Sequence, residues 1–313
     1  MKDATRILTR HPENPLISPE DIPCGAKQVF NPAPARHEGK TILLLSVLPW
    51  KTDHLGDTWL AWSDDGVHFT VEEKPFIELA SRPFPYSMVS RHIIDNRLTK
   101  IDDTYYILTP VGGGYTGPSG VLGKTRDFKT YEPVEIICPP PERGASLFPE
   151  KIGGKYYKLD RPGAGEGARG SIWLSSSPDL VHWGCFRPLL MGGWSHWNAY
   201  KIGPTPPVRT HEGWLVIVHG VSVPCDGPHY AIGAILLDIE DPLKIVGRTY
   251  STLLHPEAEY EVNGWVDNVV FPCGAIADAE ADELWLYYGG ADTRICLATG
   301  SLSEVLDACK QEI

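Results

Sequence analysis

Hydrophobic and polar positions along the chain follow the pattern of short strands. Five runs of β-branched and aromatic residues each begin behind a polar or glycine-bearing turn, which is typical of β-strands. Apart from a weak candidate at 303–313, no stretch keeps the helical period of roughly 3.6 residues. The runs are EGKTILLLSV (38–47), DDTYYILTPV (102–111), GGKYYKLDRP (153–162), HEGWLVIVHG (211–220) and ADELWLYYGG (281–290).

A second motif repeats in phase with these runs. It joins a Ser or Thr, an Asp and an aromatic or aliphatic residue, as in SDDGVHF (63–69), and its last copy, GSLSEVL (300–306), is faint. Successive markers are separated by 62, 52, 62 and 62 residues. The markers are Asp65, Asp127, Asp179, Asp241 and Ser303.

Five units of roughly 50 to 60 residues, each with several short strands, fit four-stranded blades around a central channel. The repeat therefore predicts an all-β fold, a five-bladed β-propeller, as a single catalytic domain over 1–313. The alternative is a pair of β-sandwiches, although sandwiches do not need five copies in register.

The repeat also predicts where a site lies. If the five runs are equivalent strands, the residues at their ends project towards the same end of the channel. Arg161 stands at the end of one of these runs, and a charged group there must be paired or bind something. The strand-end residues are Ser46, Thr109, Arg161, His219 and Asp292.

Composition narrows the class of partner. The net charge of −12 argues against nucleic acid and anionic membranes, but a local Arg and Lys cluster is compatible with a small anionic substrate. Seven scattered cysteines form no CxxC pair or zinc-ligand spacing, and the N-terminus has no apolar targeting segment. We expect a cytoplasmic, reduced protein without metal or cofactor; association into a homo-oligomer stays open.

The candidate acid is Asp95. It stands between two isoleucines and an Asn-Arg pair, just before a strand. A carboxylate flanked by apolar residues can have a raised pKa, which a general acid at neutral pH needs. The alternative is a turn aspartate paired with Arg97.

Basic residues point to an oxyanion. The segment 142–163 carries Arg143, Lys151 and Arg161, and two guanidinium forks match the geometry of phosphate or carboxylate. Surface salt bridging is the alternative, above all for Lys151. Further along, 201–248 supplies Lys201, His219 and Tyr230, although a lone His on a strand is more often a core residue. Asp292 follows glycines, where backbone can approach a ligand closely.

Taken in order, the motifs resemble glycoside hydrolase family 130, which contains the β-mannoside phosphorylases and their β-1,2-mannosidase relatives. No single segment is specific, but the ordered set covers most of the chain. The matching segments are FNPA (30–33), SDDGVHF (63–69), IDNRLTKIDDTYYILT (94–109), LFPEKIGGKYYKLDRP (147–162), KIGPTPPV (201–208), His219-Gly220, AIGAILLDIEDPLKIVGR (231–248), NVVFPCGAI (268–276) and LWLYYGGADT (284–293).

The resemblance implies a five-bladed β-propeller and inverting phosphorolysis of a β-mannoside to α-mannose 1-phosphate. Inorganic phosphate would be the co-substrate and a small carbohydrate the partner. Asp95 would be the catalytic acid. The residues implied to hold phosphate are Arg143, Arg161, Lys201 and His219. Those expected to bind the sugar are Asn31, Ser46, Arg97, Tyr230 and Asp292.

The sequence departs from the family pattern at four places. Ile94 and Asn96 replace the usual Glu and Pro around the acid. Gly144 stands where a polar residue usually follows the first phosphate arginine, and Ser46 where an arginine near the glycone is usual. Two alternatives stay open: an inverting β-mannosidase, whose branch lacks the paired arginines, and a non-catalytic carbohydrate-binding propeller. The linkage and the aglycone sugar depend on variable loops.

Overall fold

Five antiparallel β-sheets follow one another along the chain and form a five-bladed β-propeller, which confirms the predicted fold. The structure is a computed structural model, and it describes residues 7–50, 56–77, 90–113, 117–163 and 169–310. The first strand, β1 (Leu8–Arg10), belongs to the last blade. Within the described residues, no helix is both long and apolar enough to cross a membrane.

Each blade runs outward from a first strand beside the channel. Blade I contains β2 (Ala26–His37), β3 (Lys40–Pro49), β4 (Asp57–Ser63) and β5 (Thr70–Val71). Blade II contains β6 (Ser90–Ile93), β7 (Arg97–Ile101), β8 (Thr104–Gly113), β9 (Ser119–Thr125) and β10 (Glu132–Cys138). Blade III contains β11 (Ser146–Leu147), β12 (Tyr156–Asp160), β13 (Ser171–Ser177) and β14 (Gly184–Met191).

The last two blades follow the same plan. Blade IV contains β15 (Lys201–Pro204), β16 (Val208–Arg209), β17 (Trp214–Ser222), β18 (His229–Leu237) and β19 (Ile245–Arg248). Blade V contains β20 (Val270–Pro272), β21 (Ile276–Asp278), β22 (Glu283–Gly290) and β23 (Arg294–Ser301), with β1 at its outer edge. The helices are α1 (Glu259–Val262) and α2 (Leu302–Lys310), with 3-10 turns at Pro19–Asp21 and His196–Asn198.

The five predicted runs are the second strands of the five blades, namely β3, β8, β12, β17 and β22. Five clusters of buried hydrophobic residues lie between them, one at each junction of neighbouring blades, including the junction of blades V and I. Both faces of each sheet are therefore covered. This explains why runs such as that in β17 are almost continuously apolar instead of alternating.

The Asp-bearing motif forms the turn between the third and fourth strands. Asp65 Oδ1 accepts the N–H groups of Val67 and His68 at 2.8 and 2.9 Å, and Asp127 and Asp179 make the same contacts two and three residues ahead. An aspartate that bonds its own backbone in this way favours a turn over continued strand.

Two of the five predicted markers, Asp241 in blade IV and Ser303 in blade V, are not equivalent to Asp65. In blade IV the equivalent contacts are made by Asp238, three residues before Asp241: its Oδ1 accepts the N–H groups of Glu240 and Asp241 at 3.0 and 3.1 Å. The carboxylate of Asp241 accepts the N–H of Leu243, at 3.1 Å. In blade V, Ser303 lies in α2 because β1 already occupies the outer edge of the sheet and leaves no edge for a fourth strand.

The N-terminal strand closes the ring. β1 pairs antiparallel with β23, from Leu8 opposite Gly300 to Arg10 opposite Ala298. Arg10 then donates to both carboxylate oxygens of the buried Glu261, each at 2.8 Å. Burial acts to raise the pKa of Glu261, but the hydrogen bonds from Arg10 and Tyr288 outweigh it and leave that pKa below its ordinary value.

Replacing Arg10 by alanine should lower the free energy of unfolding by about 2 to 4 kcal/mol, because a buried carboxylate loses its guanidinium partner. Urea denaturation measures this. Lys40→Ala, which breaks an exposed pair with Asp64, is the matched control and should cost less than about 1 kcal/mol. Equal losses in the two variants would contradict a stabilising closure by Arg10.

Candidate functional site

A pocket at one end of the channel collects side chains from all five blades. Its volume is about 560 Å³, including its open mouth. Blade III supplies adjacent cations, blades II and V supply carboxylates, and blade IV supplies a lysine, a histidine and a tyrosine. The lining residues are Asn31, Asp95, Arg97, Arg143, Gly144, Arg161, Lys201, His219, Tyr230, Val269, Phe271 and Asp292.

Asp95 lies where the first strand of blade II is interrupted, between β6 and β7. Asn31 Nδ2 donates to Asp95 Oδ1 at 2.7 Å, and Arg143 Nη2 lies 3.3 Å from Oδ2. Arg97 donates to the carbonyl oxygen of Asp95 at 2.7 Å, so it fixes the backbone there. The carboxylate itself is held by Asn31 and Arg143, from neighbouring blades.

Three of the polar residues that line the pocket have a left-handed backbone conformation. Asn31, Asp95 and Asp292 have φ values of 51°, 58° and 48°. Such values are uncommon outside glycine, and Asn and Asp tolerate them best. At Asn31 the pairing of β2 with β3 shifts register between Phe30 and Ala33. The strand regularity of the channel wall is therefore broken where side chains must face the pocket.

Three cations crowd the side of the pocket formed by blades III and IV. Arg161 Nη1 donates to the carbonyl oxygen of Arg143 at 2.7 Å, and Lys201 Nζ donates to the Tyr230 hydroxyl at 3.0 Å. Burial and the charge of Arg143 lower the pKa of Arg161 to about 10. Burial and the charge of Arg161 lower that of Lys201 to about 8. Each cation destabilises the others, which an anion bound among them would relieve.

His219 is completely buried, and neither ring nitrogen has a hydrogen-bond partner among the residues the structure describes. Burial and the charge of Arg161 hold its pKa well below the ordinary value. The ring is therefore neutral and offers one donor and one acceptor. It packs against Phe271 with ring centres 4.4 Å apart. A Cβ at Gly203 would collide with His219 Cε1, so only glycine allows this placement.

Asp292 brings a second carboxylate into the pocket. Burial and the negative charge of Asp95 raise the pKa of Asp292 to about 7, although Arg143 and Lys201 oppose the rise. Its carbonyl oxygen accepts a hydrogen bond from Gln28 Nε2 at 3.1 Å. The pocket therefore contains two carboxyl groups in unlike surroundings, one held by Asn31 and Arg143 and one that titrates near neutrality.

The structure brings together nine of the ten residues predicted for the site. The exception is Ser46, which is fully buried behind Asp95 and accepts the N–H of Asp95 at 2.9 Å. Thr109 is buried too, and it donates to Asn96 Oδ1 at 2.6 Å. Lys151 lies over the Tyr156 ring, 4.6 Å from its centre, and does not line the pocket. The roles assigned to the nine residues stay predictions.

Two lining side chains were missed. Phe271 packs against His219, with the two rings tilted, and Val269 lines the pocket near it. Both lie in the segment 268–276, which matched the family without any residue being singled out. The departure at Asn96 has a physical account, because its amide donates to Thr58 Oγ1 at 2.8 Å and so ties the loop of Asp95 to blade I. Gly144 has a φ of 101°, a backbone angle that residues with a side chain rarely adopt.

Comparison with known proteins gives the family. A family model described as beta-1,4-mannooligosaccharide phosphorylase, of glycoside hydrolase family 130, matches residues 4–311. The chain belongs to glycoside hydrolase family 130. The resemblance inferred from the motifs is thereby confirmed.

Relatives within family 130 are named as phosphorylases. A Beta-1,2-mannobiose phosphorylase of Listeria innocua is 38% identical over 255 residues, covering 81% of this chain and 68% of the relative. A Beta-1,4-mannooligosaccharide phosphorylase of Ruminococcus albus is 32% identical over 319 residues, covering 98% and 92%. The solved Listeria innocua Beta-1,2-Mannobiose phosphorylase, in complex with beta-1,2-mannobiose, superposes with a TM-score of 0.86 at 32% identity, covering 97% and 99%. These names agree with the predicted enzyme class, a glycoside phosphorylase.

The raised pKa of Asp292 has a consequence for stability. Its folded carboxyl holds a proton more tightly than the unfolded one, so its contribution to stability is lost as the pH rises through about 7. Asp292→Asn should therefore raise the free energy of unfolding by about 1 to 3 kcal/mol near pH 8 and hardly at all near pH 4. Urea denaturation at both pH values measures this.

The control for this measurement is Asp64→Asn, the same change at an exposed carboxylate. It should alter the free energy of unfolding by less than about 1 kcal/mol at either pH. A gain for Asp292→Asn that is as large near pH 4 as near pH 8 would contradict a carboxyl group that titrates near neutrality.

Proposed function

We propose that this chain is an inverting β-mannoside phosphorylase, with Asp95 as general acid and with Arg143, Arg161, Lys201 and His219 holding the attacking phosphate. The observation that carries the proposal is the group of three cations on one side of the pocket, beside a neutral histidine that has no hydrogen-bond partner in the described part of the chain. The names of the family 130 relatives support the reaction class.

The cations suit a phosphate dianion. Two guanidinium groups offer forked donors, the ammonium adds a point charge, and neutral His219 supplies one N–H or one acceptor. The ion pair between Arg143 and Asp95, at 3.3 Å, supports a phosphate subsite close to the proposed acid. In the proposed reaction phosphate attacks one face of the sugar while Asp95 serves the leaving oxygen on the other, which is the arrangement that inversion requires.

The proposed reaction needs one proton and one nucleophile. A phosphate oxygen attacks the anomeric carbon while the bond from that carbon to the leaving oxygen breaks. The proton of Asp95 passes to the leaving oxygen, through the mannose 3-hydroxyl as the family resemblance implies. Phosphate is already anionic, so no protein base is required, and the products are α-mannose 1-phosphate and a shortened glycoside.

Hydrolysis is the second candidate, and Asp292 is the observation that favours it. An inverting hydrolase needs a carboxylate base about 6.5 to 9.5 Å from the acid, with room for a water molecule between them. Asp292 is a second carboxyl in the same pocket, with a pKa of about 7 that suits a base. Phosphate distinguishes the candidates: the phosphorylase needs it and forms mannose 1-phosphate, whereas the hydrolase releases free mannose without it.

Asp95→Asn should lower turnover of a β-mannobiose with phosphate by at least about 100-fold, because the variant has no proton to give to the leaving oxygen. Initial rates of mannose 1-phosphate formation measure this. Asp103→Asn, the same change at an exposed turn of the same blade, is the control and should leave the rate unchanged. Turnover of Asp95→Asn near that of the wild type would remove Asp95 from the mechanism.

Arg161→Lys should raise the apparent constant for phosphate by roughly ten- to a hundredfold and that for the glycoside far less, because an ammonium group cannot make the forked contact. Steady-state kinetics with both substrates varied measures the two constants. Arg209→Lys, at an exposed pair with Glu150, is the matched control and should change neither. If phosphate has no effect on the wild-type rate and free mannose is the only product, the phosphorylase proposal is wrong.

A further inference from the structure

Two acidic residues lie directly behind the arginines of the pocket. Glu142 precedes Arg143 and Asp160 precedes Arg161, and neighbouring side chains of an extended segment point to opposite faces. Arg143 and Arg161 accordingly line the pocket, whereas Glu142 and Asp160 line a second cavity together with Lys158. Glu142 therefore stands in the wall between the two cavities.

Hydrogen bonds that involve the backbone join the segment of Arg143 to the segment of Arg161. The N–H of Arg143 donates to the carbonyl oxygen of Arg161 at 3.2 Å, and Arg161 Nη1 donates back to the carbonyl oxygen of Arg143 at 2.7 Å. The N–H of Arg161 donates to Glu142 Oε1 at 2.7 Å. Glu142 is thus the side chain that fixes the backbone of Arg161 from behind, and it is only 5% exposed.

The other polar groups of the second cavity bond among themselves. Lys158 pairs with Asp160, and Ser175 Oγ donates to the second oxygen of Asp160 at 2.5 Å. These contacts stay within the cavity wall and hold neither arginine. This cluster therefore provides a control: it is equally buried, but it does not contact the N–H of Arg161.

The contact between Glu142 and Arg161 survives a change of protonation. Burial and the charge of Asp160 raise the pKa of Glu142 to about 7, while the N–H of Arg161 and the charges of Lys158 and Arg161 oppose the rise. Charged or neutral, the carboxyl group keeps an oxygen that can accept the N–H of Arg161. A glutamine also keeps such an oxygen, whereas an alanine does not.

We propose that Glu142 is a positioning residue of the anion subsite: by holding the N–H of Arg161 it fixes the spacing of the Arg143 and Arg161 guanidinium groups. Forked contacts to a tetrahedral oxyanion need both groups in place at once, so a shift of one weakens the contacts of both. The inference rests on the proposed function in naming the anion as phosphate.

Isothermal titration with inorganic phosphate tests this on the whole protein. Glu142→Ala should weaken phosphate binding about five- to twentyfold, because the N–H of Arg161 loses its buried acceptor. The KM for a β-mannobiose at saturating phosphate should change less than about twofold, since Glu142 does not line the pocket. Glu142→Gln keeps the acceptor and should bind phosphate within about twofold of the wild type.

Ser175→Ala is the matched control, because it removes one hydrogen bond from a carboxylate in the same buried cluster. It should lower the melting temperature without changing phosphate affinity. The inference is overturned if Glu142→Ala binds phosphate as the wild type does, if Glu142→Gln is as impaired as Glu142→Ala, or if Ser175→Ala weakens binding equally. Wild-type protein that binds no phosphate would overturn the proposed function as well, so the two failures are distinguishable.

Discussion

The confinement of Arg143, Arg161 and Lys201 in one side of a channel is the constraint on which the rest of the site depends. Burial and the repulsion between like charges both disfavour the charged forms, and the lowered pKa values of Arg161 and Lys201 show the cost. Carbonyl oxygens and Asp95 offset part of it. Burial and the charge of Arg161 keep His219 neutral. An acidic protein can thus hold a pocket with several cations, because the local arrangement of the side chains and not the net charge sets the field there.

Closure of the ring makes this confinement possible. Each blade supplies only one to three of the lining residues, so no single sheet forms the pocket. The five buried clusters between blades hold the sheets in register, and β1 completes the last of them. The bond from Arg10 to Glu261 joins that strand to α1, the helix that precedes β20, and β20 carries Phe271. Stability of the fold and geometry of the site therefore depend on the same closure.

A second layer of residues lies behind those that line the pocket. These residues do not line the pocket themselves, but they orient the side chains that do. Ser46 holds the N–H of Asp95, Asn96 ties its loop to Thr58 and Thr109, and Glu142 holds the N–H of Arg161. Such contacts restrict the backbone where it is left-handed or interrupted. They explain how a site built on broken strands can keep its side chains in fixed positions.

The sequence by itself determined the five blades, because each repeats a turn and an apolar second strand whose local chemistry needs no partner elsewhere to be recognised. Equivalent strand ends also indicated that Arg161, His219 and Asp292 meet at one end of a ring, and the resemblance to family 130 completed the predicted site. Only the tertiary structure decided that Ser46 and Thr109, at equivalent strand ends, turn into buried contacts with Asp95 and Asn96. Only it showed Phe271 against His219, and only it showed that Asp238 makes in blade IV the contacts that Asp65 makes in blade I. The physical reason is that strand register, left-handed residues and packing across blades join positions far apart in the chain, and no local pattern records which side chain meets which.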